Sequence, residues 1–154
     1  MTLLDQKIAL VTGAAKGIGA AVARAFVDEG AFVFVTDVDA DGAEALATEL
    51  GDQAAALTLD VCDPGDWAAA EAAVRERFGG LDILVNNAGI TGFLETPGPH
   101  DPEHFDLESW RTVQAVNVEG TALGCKFAIA LMKGRAAGSI INLSSRSGVL
   151  GIPA

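Results

Sequence analysis

The chain has 154 residues, of which 50% are hydrophobic and 20% charged, and its formal net charge is −11 at pH 7. A chain of this length and composition can bury a sizeable core, so an intrinsically disordered protein is excluded. The acidic charge argues against nucleic acids and anionic membranes as partners, because both attract basic proteins.

Apolar runs alternate with amphipathic stretches along the chain. Strands are predicted at Ile8–Val11, Phe32–Thr36, Ala55–Leu59, Asp82–Asn86 and Ser139–Leu143. Helices are predicted at Gly17–Asp28, near Asp41–Leu50, from Asp66 as N-cap to about Phe78, and at Leu107–Met132. The proline-containing stretch Ile90–Asp106 is predicted to be a surface loop.

The predicted strands are apolar at successive positions, which is typical of strands buried on both faces. Parallel strands need crossover connections, and the predicted helices supply them. We therefore expect one α/β domain over residues 1–154, with a doubly wound parallel sheet between two layers of helices, a three-layer αβα architecture.

The first strand is followed at once by the glycine-rich run Thr12–Gly19, with the sequence TGAAKGIG, and then by the first helix. Glycines allow a tight turn here, and the free N–H groups of a helix N-terminus favour an anionic pyrophosphate. A plain strand-to-helix turn can also be rich in glycine. Asp37 ends the second strand, about where a ribose-binding carboxylate is expected, so the combination predicts dinucleotide binding.

Five short motifs occur in order along the chain. They are T-G-x-x-x-G-x-G at Thr12–Gly19, Asp37, Asp60-Val61, Asn86-Asn87-Ala88-Gly89, and Asn142-Leu143-Ser144-Ser145-Arg146-Ser147-Gly148. Together they resemble the short-chain dehydrogenase/reductase family, and the resemblance covers the whole chain. It implies a Rossmann-type fold and a nicotinamide cofactor. The cofactor contacts implied by these motifs are Gly13, Ala15, Lys16, Gly17, Ile18, Gly19, Asp37, Asp60, Val61, Asn87, Ala88 and Gly89.

Asp37 and Lys16 bear on the choice between NAD and NADP. The Asp37 carboxylate would accept hydrogen bonds from the ribose hydroxyls and repel a 2′-phosphate. In the family a basic residue at the position of Lys16 often accompanies NADP, but a lysine side chain can turn into water. We therefore expect NAD in preference to NADP, although Asp37 has the alternative reading of an ordinary strand-end aspartate.

The resemblance also implies a catalytic set of asparagine, serine, tyrosine and lysine. Ser145, three residues before Gly148, is the expected serine that orients the substrate oxygen, and Ser144 is the second choice. Asn117 in the long helix is the expected asparagine, which supports a water and the helix geometry. Its alternative is a core asparagine whose side chain is satisfied by backbone groups.

The proton-transfer pair is missing from these residues. The chain contains no tyrosine, and all its lysines precede Ser145, whereas the family's tyrosine and lysine would fall beyond Ala154. We therefore expect the domain to be incomplete at its C-terminus, truncated after strand five, and residues 1–154 to be inactive alone.

The expected function is hydride transfer between nicotinamide and a small-molecule secondary alcohol or ketone. Two alternatives are an epimerase or isomerase that keeps NAD bound and a non-catalytic nucleotide-binding module. The family resemblance implies that the long helix pairs with its counterpart across a dimer two-fold. Its small residues Gly120, Ala122 and Gly124 permit close helix approach, so we expect a homodimer or homotetramer.

Other signals argue against a metal site or an exported protein. Cys62 and Cys125 lie far apart, and Pro102 separates His100 from His104, so neither a disulfide framework nor a metal site is indicated. No secretory signal is recognised and no apolar run is expected to span a membrane. We expect a cytoplasmic protein.

Overall fold

Five parallel strands form one sheet in the computed structural model, which describes residues 2–92, 99 and 101–145. The strands are β1 (Ile8–Thr12), β2 (Phe32–Asp37), β3 (Ala54–Thr58), β4 (Ile83–Asn86) and β5 (Ser139–Asn142). The helices are α1 (Gly17–Asp28), α2 (Ala40–Leu50), α3 (Pro64–Phe78), α4 (Leu107–Gln114) and α5 (Thr121–Met132), with 3-10 turns at Gly51–Gln53 and Pro102–His104. Every strand begins and ends within one residue of its predicted position.

The strand order is β3-β2-β1-β4-β5, and every pairing in it is parallel. Because β1 pairs with β2 on one side and β4 on the other, the winding direction reverses between β1 and β4. This is the strand order of a Rossmann-type fold, in which ligands bind at the carboxyl ends of the strands where the winding reverses. The prediction of a doubly wound parallel sheet is confirmed.

Apolar side chains of the central strands alternate between the two faces of the sheet. Ala9, Val11 and Val33 pack in one cluster with residues of α1 and α2. Leu10 and Phe34 pack in a second cluster with residues of α3 and α5. Since both faces are covered, successive positions of a strand are apolar, and the predicted αβα layers follow.

Helix α3 begins earlier than predicted, and Asp66 is not its N-cap. The cap is Asp63, whose side chain accepts the N–H of Gly65, and Pro64 occupies the first turn. Proline suits this position because its fixed φ is helical and its missing N–H is not needed there. The carboxylate of Asp66 instead accepts the N–H of Asp60, at 2.8 Å.

The long helix predicted over Leu107–Met132 is present but not uniform. Its middle, Ala115–Gly120, is π-helical and joins α4 to α5. Single π-helical turns inside α-helices are frequent at functional sites. The π-helical segment contains Asn117, the asparagine of the expected catalytic set.

By length and composition, Leu107–Met132 is apolar enough to cross a membrane, contrary to the expectation that no such stretch exists. A core helix of a soluble protein passes the same test. Phe127, Ala128 and Leu131 of this helix pack on the second cluster against the sheet. We therefore assign it to the helix layer of the fold.

Two small residues of the long helix serve this chain's own packing, which corrects the role expected for them. A Cβ on Gly120 would lie 2.7 Å from Cγ2 of Val61. A Cβ on Gly124 would overlap Oδ1 of Asn86 and lie 3.1 Å from the Trp67 ring. Gly120 and Gly124 therefore let the helix approach the sheet and α3, and they are not available to a neighbouring subunit.

Asp82 joins the N-terminal ends of three strands. Its carboxylate accepts the N–H of Ile8 at 3.0 Å and two N–H groups of Arg135 at 2.9 and 3.0 Å. Its own N–H donates to Ile8, and its carbonyl accepts the N–H of Ser139. The carboxylate therefore holds β1 and β4 together and ties β5 to them through Arg135, just before β5 begins.

Replacing Asp82 with alanine should destabilise the protein by about 2 kcal/mol, since hydrogen bonds to a largely buried charge are lost. Urea unfolding of the variant measures the change. Arg24→Ala, which removes the solvent-exposed pair with Glu49, is the control and should show no comparable loss. Equal stability of the Asp82 variant and the parent would contradict this account.

Candidate cofactor and catalytic site

The hydroxyl of Thr12 joins the carboxyl ends of β1 and β4. It accepts the N–H groups of Asn87 and Ala88, each at 3.0 Å, and donates to the carbonyl of Val85 at 3.4 Å. Thr12 is only 1% exposed, so water cannot replace these partners. One buried hydroxyl thus fixes the Asn87–Gly89 segment against the glycine loop at the point where the winding reverses.

The side chain of Asn87 adds a second link to the same loop. Its Nδ2 donates to the carbonyls of Thr12 at 2.8 Å and Gly13 at 2.9 Å. Both amide hydrogens are therefore directed at the loop. A cofactor contact by Asn87, as implied by the family resemblance, would come through its remaining groups.

The loop glycines have two different physical roles. A Cβ on Gly13 would lie 2.8 Å from Cα of Ala88, and one on Gly19 would overlap the carbonyl oxygen of Gly13. These two glycines permit packing within the protein. Gly17 has φ +59° and faces open space, with nothing within 4 Å of an added Cβ.

The N-terminus of α1 has unpaired donors at this open position. Its N-cap is Lys16, which makes no side-chain capping bond. Lys16, Gly17 and Ile18 are all exposed. The N–H groups of the first turn and the positive end of the helix dipole are thus free to receive an anion.

The carboxylate of Asp37 lies beside this loop. Its Oδ2 accepts the N–H of Ala15 at 3.0 Å, and its Oδ1 accepts the N–H of Asp39 at 3.0 Å. A carboxylate has about four acceptor positions, so acceptor capacity remains for a ligand. The two backbone bonds fix the carboxylate at the carboxyl end of β2, next to the glycine loop.

Asp60 and Val61 follow β3 and are held by α3. The N–H of Asp60 donates to Asp66, and the carbonyl of Val61 accepts the indole N–H of Trp67 at 2.9 Å. Val61 is buried against Gly120, whereas Asp60 is exposed. Of this pair, the exposed Asp60 is accessible to a ligand, and the buried Val61 packs against the long helix.

Cys62 follows in the same turn, and its thiol is kept protonated. Partial burial raises the pKa of this thiol, and the negative charges of Asp60 and Glu119 raise it further. A raised thiol pKa lowers the thiolate fraction at neutral pH, and the thiolate is the reactive form. The surroundings of Cys62 therefore disfavour its thiolate form.

The side-chain amide of Asn117 makes two hydrogen bonds to the backbone of Ile90. Its Oδ1 accepts the Ile90 N–H at 2.9 Å, and its Nδ2 donates to the Ile90 carbonyl at 2.8 Å. The carbonyl of Asn117 accepts the Thr121 hydroxyl at 2.9 Å. The side chain is thus satisfied by backbone groups, as in the alternative interpretation, but the residue is exposed and does not lie in the core.

Ser144 and Ser145 follow β5 directly and are exposed. Because β5 pairs with β4, they come at the same edge of the sheet as the segment after Asn86. Arg146, Ser147 and Gly148, which complete the motif that selected Ser145, lie outside the described residues.

The described residues contain no group of three or more metal-binding side chains. His104 pairs with the Asp101 carboxylate at 2.8 Å, and this hydrogen bond lowers the pKa of Asp101. His100 lies outside the described residues. Within 101–145, the predicted loop contains the 3-10 turn at Pro102–His104, capped by Asp101.

Thr12, Asn86 and Asn142 are structural members of the site that the sequence reasoning did not select. Each ends a strand, and each lies inside or beside a recognised motif. The sequence feature that could have identified them is a polar residue at the carboxyl end of a buried strand, since such a group needs a hydrogen-bond partner.

Replacing Thr12 with valine should leave two buried N–H groups without an acceptor. We expect this to cost about 1–3 kcal/mol of stability and to weaken dinucleotide binding. Thr12→Ser retains the hydroxyl and is the matched control. Urea unfolding and cofactor titration measure the two effects, and a valine variant that matched the serine variant would refute the role of the hydroxyl.

Comparison with known proteins agrees with this geometry. The profile of the family described as short chain dehydrogenase matches residues 7–154. The chain is 40% identical to a D-threitol dehydrogenase of Mycolicibacterium smegmatis over 97% of its own length and 56% of that protein. It is 41% identical to a 3-alpha-(or 20-beta)-hydroxysteroid dehydrogenase of Mycobacterium bovis over 94% of its own length and 54% of that protein.

A 3-beta-hydroxysteroid dehydrogenase of Comamonas testosteroni is 41% identical over 97% of this chain and 56% of that protein. The chain thus spans about half the length of these relatives. The family profile covers nearly all of its residues, and the strand order and glycine loop agree with it. The chain therefore belongs to the short-chain dehydrogenase family.

Proposed function

We propose that the whole protein is an NAD-dependent oxidoreductase that transfers hydride between nicotinamide and a secondary alcohol or ketone. The observation that carries the proposal is the Asp37 carboxylate, fixed beside the glycine loop by the N–H of Ala15. A single carboxylate at this point provides both a ribose acceptor and a barrier to a 2′-phosphate.

The residues present fit a dinucleotide. Gly17 leaves open space at the N-terminus of α1, where uncapped N–H groups are available to a pyrophosphate. Asp37 would hold the adenosine ribose, and Asp60 lies at the end of β3, which neighbours β2. Lys16 is exposed, and its side chain is not held in place as the Asp37 carboxylate is. The Asp37 carboxylate therefore determines the preference for NAD over NADP.

Nicotinamide, when bound, accepts or donates the hydride. We assign to Ser145 the role of orienting the substrate oxygen, because a positioned hydroxyl can hold that oxygen by a hydrogen bond. Asn117 supports the site by fixing the backbone of Ile90 just after the Asn87–Gly89 segment. The base that takes up the hydroxyl proton is assigned to a part of the whole protein outside residues 1–154, since these contain no tyrosine.

The proposed substrate class is inferred from the proposed hydride transfer, and not from a pocket among the described residues. The relatives are named for a polyol, for hydroxysteroids and for trans-4-hydroxycyclohexanecarboxylate. These names support a hydroxylated substrate and select no particular one. The net charge of −11 argues against nucleic-acid and anionic-membrane partners, and we propose a cytoplasmic enzyme that acts on small molecules.

A dehydrogenase assay tests the proposed activity. The whole protein and residues 1–154 are incubated with NAD and a panel of secondary alcohols, and NADH absorbance is followed. We expect turnover by the whole protein and none by residues 1–154, because these lack the proton acceptor. If the whole protein shows no turnover of any alcohol or matching ketone with NAD or NADP, the proposed activity is rejected. If the whole protein and residues 1–154 turn over substrate equally, the assignment of the base is rejected.

Asp37→Asn tests the choice of cofactor. The amide keeps one acceptor oxygen for the loop but removes the charge, so NAD should bind more weakly by about 1–3 kcal/mol, and NADP should lose less or gain. Titration of both cofactors measures the ratio of affinities. Asp39→Asn, two residues away, is the charge-matched control, and an unchanged ratio in the Asp37 variant would reject its role.

We also propose that the whole protein is a homodimer or homotetramer. With Gly120 and Gly124 turned inward, the long helix offers exposed apolar residues that include Trp110, Val118 and Ile129, together with Ala122. Light scattering should show an oligomer at micromolar concentration. Val118→Glu with Ile129→Glu should shift it toward the monomer, and a parent protein that is already monomeric would contradict the proposal.

A further inference from the structure

We propose that Asn142 is a positioning residue that holds the Ser144-Ser145 segment against β4 through a side-chain bridge to Asn86. Its catalytic consequence rests on the proposed function, in which Ser145 orients the substrate. The bridge itself is a property of the described structure and can be tested separately.

Asn86 lies at the carboxyl end of β4 and is only 5% exposed. Its Nδ2 donates to Oδ1 of Asn142 at 2.8 Å and lies 3.4 Å from the carbonyl of Thr121. The position of Gly124 allows this approach, because any Cβ there would overlap Oδ1 of Asn86. The amide is therefore enclosed between β5 and the beginning of α5.

Asn86 binds the β5 segment at two points. Besides the side-chain bridge, its carbonyl accepts the N–H of Leu143 at 3.0 Å. Asn86 and Asn142 are also direct partners in the parallel register. The ladder ends here, so the bridge and the Leu143 N–H bond are the two contacts that hold the end of β5 to β4 just before Ser144.

The same contacts connect the two catalytic candidates. The Thr121 hydroxyl donates to the carbonyl of Asn117, and the Thr121 carbonyl faces Nδ2 of Asn86. From Asn86 the bridge continues to Asn142, three residues before Ser145. The network therefore sets the strand end that carries Ser145 relative to the π-helical segment that carries Asn117.

The chemistry of the bridge requires an acceptor oxygen at position 142. Leucine there has a similar size but leaves the buried Nδ2 of Asn86 without its shortest bond. Aspartate keeps the oxygen and so preserves the bridge. The thiol of Cys125, 3.8 Å from Oδ1 of Asn142, adds a weak donor to the same oxygen.

The test compares Asn142→Leu, Asn142→Asp and the control Ser139→Ala in the whole protein. Ser139 begins the same strand at its far end. We expect leucine to lower kcat about 10- to 100-fold while KM and the Kd for NAD change less than about twofold, since small misplacements of a catalytic group reduce rate and not binding. Aspartate should restore most of kcat, and Ser139→Ala should leave it unchanged.

Three results would overturn the proposal. They are an unchanged kcat in the leucine variant, equal losses for leucine and aspartate, and a loss of kcat matched by equal losses of NAD affinity and Tm. The last result would indicate general structural support only.

If the parent protein shows no dehydrogenase turnover at all, the proposed function fails while the bridge remains testable. Hydrogen exchange of residues 143–145 is then compared among the same variants. Faster exchange with leucine but not with aspartate or Ser139→Ala supports the bridge, and equal exchange in all of them overturns it.

Discussion

The buried hydroxyl of Thr12 is the contact on which the arrangement of the site depends. It accepts two consecutive backbone N–H groups, from Asn87 and Ala88, at the point where the winding of the sheet reverses. The connections that leave β1 and β4 run to opposite faces of the sheet, so a crevice forms between them at this edge. The Thr12 hydroxyl and the Asn87 side-chain amide fix the glycine loop and the Asn87–Gly89 segment to each other at that crevice.

Around this fixed point the site uses mainly backbone groups. Gly13 and Gly19 allow the loop to pack against the segment after β4, and Gly17 leaves the helix N-terminus open. Asp37 is oriented by the N–H of Ala15, a residue of the same loop. In the proposed function these same bonds would serve both folding and cofactor recognition, so a substitution that loosens the loop is expected to affect both.

The long helix after β4 contributes through its irregularity. The π-helical segment carries Asn117, which binds Ile90, and ends at Gly120, which lies against Val61; Gly124 on the following turn lies against Asn86. Small residues at these two positions let the helix approach the ends of both β3 and β4. The side chains of Asn86 and Asn142, at the ends of β4 and β5, then link the helix to the edge strand β5.

The sequence by itself determined the order and type of the elements, the parallel sheet, the glycine loop and the position of Asp37, because each depends on local patterns of apolar residues, glycines and strand ends. It did not determine the start of α3, where Pro64 and Asp63 rather than Asp66 form the cap, since the acidic residues near this start are similar N-cap candidates by type. Nor did it reveal that Gly120 and Gly124 face inward, or that Thr12, Asn86 and Asn142 hold the site together. Those facts depend on which residues, distant in sequence, come within hydrogen-bond distance when five strands align, and only the tertiary structure decides that.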